Sequence, residues 1–522
     1  MITNTAEVPT PVNKLSGCEA KYVLAIDQGT TSSRAILFDH SGAPRGSGQL
    51  EHHQIFPHPG WVEHDPMEIW NNVRTVIELA VADAGASVTD IAAVGVTNQR
   101  ETTIIWDRAT GEPVYNALVW QDTRSQTQVD ELAKIGGLDR FRADVGESLS
   151  TYASISKIAW VLENVPGVRQ RAEAGELAFG NPDSWVIWNL TGGPRGGRHV
   201  TDATNASRTM LMDLRTLNWR PDICEAAKIP EVLLPEICSS AEIYGVCAAG
   251  SPLAGVPIAG DLGDQQAAAF GQACFTPGSA KNTYGTGCFM LLNTGGEPRP
   301  SGHGMITTLA YRLADAEPVY ALEGSVAHSG SVIQWLRDNL GIISDAAQTE
   351  QLAASVPSSD GVCFVPAFSG LFAPHWRPDA RALIIGLTGY HTRAHIVRAA
   401  LEATAMQVRE VFDAMVADSG SPLNELRVDG GMTANNLLMQ FQADVLGCDV
   451  VVPQVAETTA LGAAYAAGLA VGFWSDLAEV ADNWRLRQRW HPEMDDDWRA
   501  EKMTSWSRAV SRTLDWVNPA MS

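Results

Sequence analysis

Short runs of hydrophobic residues, separated by polar segments, recur along the chain and predict buried β-strands. Residues 22–26 form the first such run and residues 34–38 the second. The segment 27–33 between them is rich in Gly, Thr and Ser. Two apolar runs joined by a polar segment are typical of a β-hairpin. We therefore expect the first ordered element to be a hairpin with an exposed polar turn.

A helix and another strand are predicted next. Asp65 can cap a helix, Pro66 suits the first helical position, and Glu68 occupies the capping-box position. Residues 91–96 are again apolar and predict a buried strand. This strand should end at the polar segment 97–101.

The second half of the sequence repeats this pattern. Residues 280–284 and 288–292 predict two strands joined by a tight turn at 285–287. Further strands and helices are predicted at 426–428, about 434–446, 450–452 and 459–470. Each half thus opens with a hairpin and continues with alternating strands and helices, which indicates two duplicated α/β domains.

The predicted domains are residues 20–270 and 271–522, with the seam near 265–275, a ligand crevice between the halves and a helical tail at the end. We see no convincing sequence identity between the halves, so the predicted repeat is one of structure. Residues 1–19 have no apolar core. We interpret them as a disordered lead-in rather than a signal peptide.

Composition and charge exclude several classes of protein. A hydrophobic fraction of 45% is enough for sizeable cores and argues against disorder. The net charge of −23 opposes non-specific binding to DNA or RNA, although a local pocket can still accept an anion. The uncharged stretch 460–474 is shorter than the about 20 residues that a membrane helix needs, and it predicts a buried, closely packed helix. The eight cysteines form no C-x-x-C pair, which favours reduced thiols and a cytoplasmic protein.

Glycine-rich turns are the main candidates for ligand binding. The sequence contains no P-loop, G-x-S-x-G or H-E-x-x-H motif. Residues 192–197 (GGPRGG) fit a surface loop better than a phosphate cradle. The turns at 27–33 and 285–287, and Gly430-Gly431, offer backbone N–H groups to an anion. Each alone is commonly a plain turn, but their matching places in the two halves favour phosphate binding.

Four polar residues, three at predicted strand ends and Asp264 between a glycine turn and a predicted helix, each have two interpretations. Asp27 can hold magnesium through water or simply initiate a turn. Asp264 can act as a general base or cap the helix that follows it. Arg100 and Glu101 can clamp a polyhydroxyl substrate or form an ordinary ion pair.

Six segments of the sequence together fit the pattern of one known family. They are residues 27–34, 60–66, 97–103, 263–266, 282–289 and 429–436. These segments resemble the FGGY family of carbohydrate kinases, within the actin/hexokinase/Hsp70-like superfamily. The likeness extends over about residues 20–480. It implies two ribonuclease-H-like domains of the actin-like ATPase type, with the ligand cleft between them. Residues 98–102 (NQRET) resemble the members that phosphorylate glycerol rather than a pentulose or gluconate.

The resemblance also implies a role for individual residues. Asp264 would accept the proton of the attacking hydroxyl, and Asp27 would lie near magnesium. The side chains implied for glycerol are Arg100, Glu101, Trp120, Tyr152, Asp264, Gln265 and Phe289. Those implied for the phosphates of ATP are Thr30, Thr31, Ser32 and Arg34. The remainder of the ATP site would consist of Thr286, Gly330, Gln334, Gly431 and Asn435.

Three segments depart from the family pattern. Residues 151–157 (TYASISK) keep Tyr152 but replace its usual neighbours, and residues 370–376 (GLFAPHW) carry Phe372 and His375. Residues 244–255 lack the Gly-Gly-Thr-Arg loop that binds fructose 1,6-bisphosphate in some members, so the resemblance does not imply inhibition by that metabolite.

The expected activity is therefore a magnesium-dependent transfer of the γ-phosphoryl group of ATP to glycerol, by a cytoplasmic phosphotransferase that forms a dimer or tetramer. Two alternatives remain open. One is an FGGY kinase for another polyol or sugar, and the other is a catalytically inactive nucleotide-binding regulator. An actin-like structural role fits less well, because filaments need no polyol-clamping residues.

Overall fold

The computed structural model describes residues 20–420 and 422–517. The predicted lead-in at 1–19 lies outside the described residues. Strands and helices are interspersed along the described chain. The strands are β1 (Tyr22–Gln28), β2 (Ser32–Phe38), β3 (Pro44–Glu51), β4 (Glu63–His64), β5 (Ile91–Asn98), β6 (Ile104–Asp107), β7 (Ala117–Leu118), β8 (Leu177–Gly180), β9 (Val200–Asp202), β10 (Glu236–Cys238), β11 (Ala241–Val246), β12 (Pro257–Gly263), β13 (Ala280–Tyr284), β14 (Cys288–Gly295), β15 (Ile306–Tyr311), β16 (Val319–Val326), β17 (Cys363–Val365), β18 (Leu383–Ile385), β19 (Glu425–Asp429), β20 (Asp449–Pro453) and β21 (Leu486–Trp490).

The helices vary from one turn to more than seven. They are α1 (Pro66–Asp83), α2 (Gln126–Ala133), α3 (Arg142–Val145), α4 (Ser154–Asn164), α5 (Val168–Glu173), α6 (Pro182–Leu190), α7 (Ala203–Ser207), α8 (Pro221–Ala226), α9 (Asp264–Gly271), α10 (Gly330–Asp338), α11 (Gln348–Ala354), α12 (Arg393–Ser419), α13 (Asn436–Leu446), α14 (Thr458–Val471), α15 (Leu477–Asn483) and α16 (Asp496–Val510). Short 3₁₀ turns lie at Val88–Asp90, Gly193–Arg195, Glu231–Leu233 and Gly431–Ala434.

Two large mixed sheets form the framework. The first has the strand order β11-β12-β5-β1-β2-β3, and the second has the order β15-β16-β14-β13-β19-β20-β21. In each sheet the first strand of a hairpin also pairs in parallel with a strand from later in the chain: β1 with β5, and β13 with β19. The predicted repeat of the opening hairpin is therefore present as a repeat of topology.

The first hairpin differs in extent from its prediction. The ladder pairs Asp27 with Arg34 and Gln28 with Ser33, so only residues 29–31 form the turn. Gln28 and Ser33 are polar but buried. The prediction of a turn at 27–33 was wrong because backbone pairing continues past the last apolar side chain. The second hairpin is confirmed, with its turn at 285–287.

Two predicted helix features also differ in detail. Asp65 caps α1 by accepting from the Met67 N–H, as predicted, but Glu68 accepts from the His53 N–H and closes no capping box. The tail after α14 is not entirely helical, because β21 adds an edge strand to the second sheet. Its sequence, LRQRW, is too charged to indicate a strand.

Helix α14 ties the second half of the chain to the first sheet. Its alanine-rich surface packs on β5, β12 and α9. The hydrophobic cluster that α14 forms with them also includes Val23 and Ile36 of the opening hairpin. The contact is so close that a Cβ atom on Gly462 would lie 1.8 Å from the Ala267 carbonyl oxygen. This packing confirms the predicted buried helix, while the boundary predicted at 270/271 stays a prediction.

The described chain contains no helix that is both long and apolar enough to span a bilayer. The seven described cysteines are free thiols, and six of them are buried.

Gly462→Ala tests the close contact between α14 and α9. Alanine alone favours a helix over glycine by about 1 kcal/mol, so a loss of stability would come from the overpacked contact. We expect the free energy of unfolding to fall by about 1–3 kcal/mol, measured by denaturant titration. Gly296→Ala is the matched control, since its added Cβ meets no atom within 4 Å. Equal stability of the two variants would contradict the packing argument.

Candidate active site

The site lies at the edge of the first sheet where three parallel strands end together. Gln28 and Gly263 are both in register with Asn98, so β1, β5 and β12 finish side by side. The carboxyl ends of parallel strands share one edge of a sheet. This arrangement brings Asp27, Arg100 and Asp264 to one region, although they are far apart in sequence.

A buried ion pair closes this edge against the second sheet. Arg100 Nη1 and Nη2 donate to the two carboxylate oxygens of Glu323, over 2.5 and 2.7 Å. The side chains are 2% and 0% exposed. Burial opposes the charge on Glu323, but Arg100 and Arg208 outweigh it and lower the pKa of that carboxyl to about 2. Because Glu323 lies on β16, this pair joins the two halves of the chain.

Asp264 lies beside the same guanidinium. Arg100 Nε is 3.1 Å from Asp264 Oδ1, and the carboxylate remains 30% exposed. The backbone N–H of Gln265 donates to Asp264 Oδ1 over 2.8 Å, and its side-chain amide donates to Oδ2 over 3.1 Å. Asp264 is thus held by fixed donors while one side stays open.

Glu101 is held by a second buried arginine. Arg208 Nε donates to Glu101 Oε1 over 2.8 Å, and Arg208 Nη2 lies 3.3 Å from Glu147 Oε2. Burial raises the pKa of both carboxyls, to about 7 for Glu147, while Arg208 opposes the rise. The backbone of Glu101 has a φ of 59°, a left-handed conformation that costs a non-glycine residue about 1–2 kcal/mol. A strained residue at the end of a strand is typical of a functional site.

An aromatic wall borders these charges. The rings of Trp120 and Tyr152 lie 5.7 Å apart edge to face, and those of Trp120 and Phe289 lie 6.2 Å apart. The Trp120 indole N–H also donates to Thr30 Oγ1 over 3.0 Å. Phe289 comes from β14 of the second sheet, so this wall too spans both halves. The structure therefore brings the residues predicted to contact glycerol into one group of neighbouring side chains.

Three of the four residues predicted for the phosphates, Thr30, Thr31 and Ser32, form or flank the first hairpin turn. The Gly29 N–H donates to the Ser32 carbonyl over 2.9 Å and closes this turn. Arg34 is already engaged: its Nη2 donates to Gln49 Oε1 over 2.8 Å, and its Nη1 pairs with Glu457. Arg34 is therefore bound to two side chains of the protein itself.

The residues predicted for the rest of the ATP site form a second group, on the second sheet. Gly330 N–H donates to the Gly285 carbonyl over 3.0 Å, and a Cβ on Gly330 would lie 2.6 Å from that oxygen. Thr286 is exposed in the turn, and a Cβ on Gly431 would face open space. The hairpin turn, the start of α10 and the glycine pair after β19 thus form one open surface.

Two members of that group are placed differently from the rest. Asn435 caps α13 by accepting from the Leu438 N–H over 2.9 Å, and its amide donates to Thr349. Gln334 lies exposed on α10, one turn after Gly330. Asn435 therefore has a structural role whatever it binds.

The chemistry of Asp27 fits a magnesium ion. Burial raises the pKa of this carboxyl to about 7; Arg34 opposes that rise, and the charges of Asp264 and Glu457 add to it. A dication would favour the ionised form of such a carboxyl. Magnesium commonly uses one or two carboxylates together with substrate phosphates and water. The described residues contain no group of three or more His, Cys, Asp or Glu side chains that could hold a metal.

Comparison with known families decides the relationship of the chain. The model of the FGGY family of carbohydrate kinases, N-terminal domain, matches residues 22–271, and the model of the C-terminal domain matches residues 280–471. This chain belongs to the FGGY family of carbohydrate kinases.

Close relatives of this chain within the FGGY family are glycerol kinases. Glycerol kinases of Clavibacter michiganensis and Pseudarthrobacter chlorophenolicus are each 62% identical over 498 residues, which covers 95% of this chain and 99% of theirs. Among solved structures, Plasmodium falciparum glycerol kinase with ADP is 42% identical, covers 96% of this chain and 99% of its own, and has a TM-score of 0.88. Gluconate kinase from Lactobacillus acidophilus, 20% identical with a TM-score of 0.82 over 94% and 96% of the two chains, shares the fold. The predicted two-domain α/β fold is confirmed.

Three charged residues that surround the predicted site of this FGGY kinase were not among those predicted from sequence. Lys281 lies inside the predicted strand β13, and Glu323 lies inside the largely apolar strand β16. Arg208 follows the short helix α7. A charged residue within an otherwise apolar strand was an available signal, because such residues are rarely buried without a partner. The identity of the partner could not be read from sequence.

Glu323→Gln tests the ion pair that joins the two halves. Removing one partner leaves the buried Arg100 without its main counter-charge, so we expect the free energy of unfolding to fall by about 3 kcal/mol. Denaturant titration measures this free energy of unfolding, and thermal melting should show a lower Tm. Glu131→Gln is the control, because Glu131 pairs with Lys134 on the surface with both side chains more than 60% exposed. A Glu323→Gln variant as stable as this control would show that the pair does not hold the halves together.

Proposed function

We propose that the chain is an ATP-dependent kinase of glycerol that produces sn-glycerol 3-phosphate and ADP. The observation that carries the proposal is this group of side chains, in which charged hydrogen-bonding groups lie beside an aromatic wall. A three-carbon polyol has hydroxyls for the charged side and a C–H face for the rings. Sugars can use the same groups, but the sequence of residues 98–102 and the close relatives favour glycerol.

Glycerol binding needs donors and acceptors in fixed positions. The Glu101 carboxylate accepts from a hydroxyl, and its orientation is set by Arg208. Arg100 donates to another hydroxyl through the part of its guanidinium that Glu323 leaves free, and Tyr152 adds a phenolic group. Trp120 and Phe289 pack on the carbon face. Immobilising the substrate in this way removes much of the entropic cost of the reaction.

Asp264 is the proposed general base. Its carboxylate accepts the proton of the primary hydroxyl while that oxygen bonds to the γ-phosphorus. The bond from the γ-phosphorus to the β–γ bridging oxygen breaks, and ADP leaves with that electron pair. Phosphoryl transfer depends chiefly on alignment and charge neutralisation, so one well-placed carboxylate is enough for the proton.

The phosphates would lie between the two hairpin turns. The backbone N–H groups of Thr30 and Thr31 in the first turn and of Thr286 in the second are suited to anions, and Thr30, Thr31 and Ser32 add hydroxyls. Phosphate binding would draw Arg34 away from Glu457. When bound, magnesium neutralises charge on the terminal phosphates, and Asp27 would hold it, chiefly through water.

The remainder of ATP would lie on the open surface beside Gly330 and Gly431. Glycines there let the nucleotide approach the backbone, since no side chain intervenes. Thr286, Gln334 and Asn435 offer polar groups around it. Closing the two halves over both substrates excludes water, which would otherwise accept the phosphoryl group. The cytoplasmic location and the dimer or tetramer stay predictions.

The first test is ATP turnover with magnesium, measured against glycerol, dihydroxyacetone, erythritol, xylulose and gluconate. We expect glycerol to have the highest kcat/KM. Preference for another polyol would contradict glycerol as the substrate but would leave the proposed phosphoryl transfer in place. ATP binding without any turnover would favour a non-catalytic regulator.

Asp264→Asn tests the general base. An amide cannot accept the proton, so we expect kcat to fall by about 10²–10⁴-fold while ADP still raises the Tm. The control is Asp222→Asn, a change at a surface carboxylate paired with Arg220. Near-normal turnover by Asp264→Asn would remove this residue as the base.

A further inference from the structure

Lys281 is a buried cation at the contact between the two halves, and no predicted role includes it. It lies on β13, yet its ammonium reaches α9 of the first half, where it donates to Gln265 Oε1 over 2.5 Å. It also donates to Thr283 Oγ1 over 2.9 Å and to the Phe289 carbonyl over 3.3 Å. The side chain is completely buried.

Keeping an ammonium at this position is costly. Burial lowers the pKa of Lys281 to about 8, against the opposing charges of Asp429, Asp264 and Glu323. The three N–H donors of the ammonium meet three acceptors. No donor is left over for a substrate, so Lys281 does not act on glycerol or phosphate directly.

The contact with Gln265 fixes which way its amide points. An ammonium only donates, so the atom facing Lys281 must be the amide oxygen. The amide nitrogen then faces Asp264 and donates to Oδ2 over 3.1 Å. A flipped amide would place an oxygen against the carboxylate and repel it. Lys281 therefore determines whether Gln265 attracts or repels Asp264.

We propose that Lys281 is a positioning residue that orients the Asp264 carboxylate through the side-chain amide of Gln265. The inference rests on the proposed function, in which Asp264 takes the proton. Lys281 belongs to the second sheet, whereas Gln265 and Asp264 belong to α9 after the first. The correct orientation of the base thus depends on how the two halves meet, and a cleft that opened would release it.

A double-mutant cycle tests the proposal in the full-length enzyme. Lys281→Met and Gln265→Leu each remove one side of the contact, and the two changes are also combined. We expect Lys281→Met to lower kcat about 10-fold or more, because misplacement of a catalytic group slows the reaction, with a smaller change in the KM for glycerol. Gln265→Leu should lower kcat to the same extent and should also raise that KM, because Gln265 is predicted to contact glycerol. The double variant should have the same kcat as the single ones, because both changes break one connection.

Arg427→Met is the matched control. Arg427 also reaches from the second sheet to the end of α9, where it donates to the carbonyls of Gln272 and Ala273, but it does not contact Gln265. Its kcat should stay near that of the wild type. Melting with and without ADP checks that each variant is folded and still binds nucleotide.

Several outcomes would overturn the proposal. Multiplicative losses in the double variant would show that Lys281 and Gln265 act independently. If Lys281→Met does not fold, the test rests on Gln265→Leu. An unchanged kcat in that variant would show that Gln265 does not orient Asp264. A wild-type enzyme without glycerol turnover would instead contradict the proposed function, so the two failures are distinguishable.

Discussion

A buried ion pair between Arg100 and Glu323 connects the two sheets, and the site depends on it. An ion pair removed from water is stable only when its remaining hydrogen-bonding groups are satisfied. Here Gln266 accepts a further bond from Arg100, and Asp264 lies beside Arg100 Nε. Arg100 and Asp264, which both have roles in the proposed chemistry, are therefore tied to the contact between the two sheets. Stability of the contact and geometry of the cleft cannot be changed separately.

A second constraint acts through the backbone rather than through charge. Helix α14 comes late in the chain but packs on the first sheet, and glycines on both sides allow this approach. Added Cβ atoms on Gly95 and Gly260 would lie within 2.1 and 2.6 Å of the α14 backbone. Small residues therefore set the distance between the halves, while Arg100 and Lys281 set their alignment at the cleft. Together these contacts make one relative arrangement of the halves favourable.

Much of this molecule follows from local sequence pattern. The apolar runs at 22–26 and 91–96 indicated strands that the structure confirms, since burial of a strand needs only neighbouring apolar residues. Asp65 was recognisable as a helix cap because capping depends on residues two or three positions apart. The extent of the first hairpin was not predictable, because Gln28 and Ser33 pair through backbone groups that every residue has. The charged strand β21 was missed because its partner β20 decides its conformation.

For the candidate site, the sequence by itself determined which residue types stand at the strand ends, and with them the resemblance to a kinase family. It did not determine the partners of those residues. Glu323 lies 223 positions from Arg100, and Lys281 holds an amide on a different half of the chain. Only the tertiary structure decided these contacts, because side-chain pairing across two sheets depends on how the sheets pack. The sequence thus specified the chemical groups, and the fold specified which of them are oriented, shielded and charged.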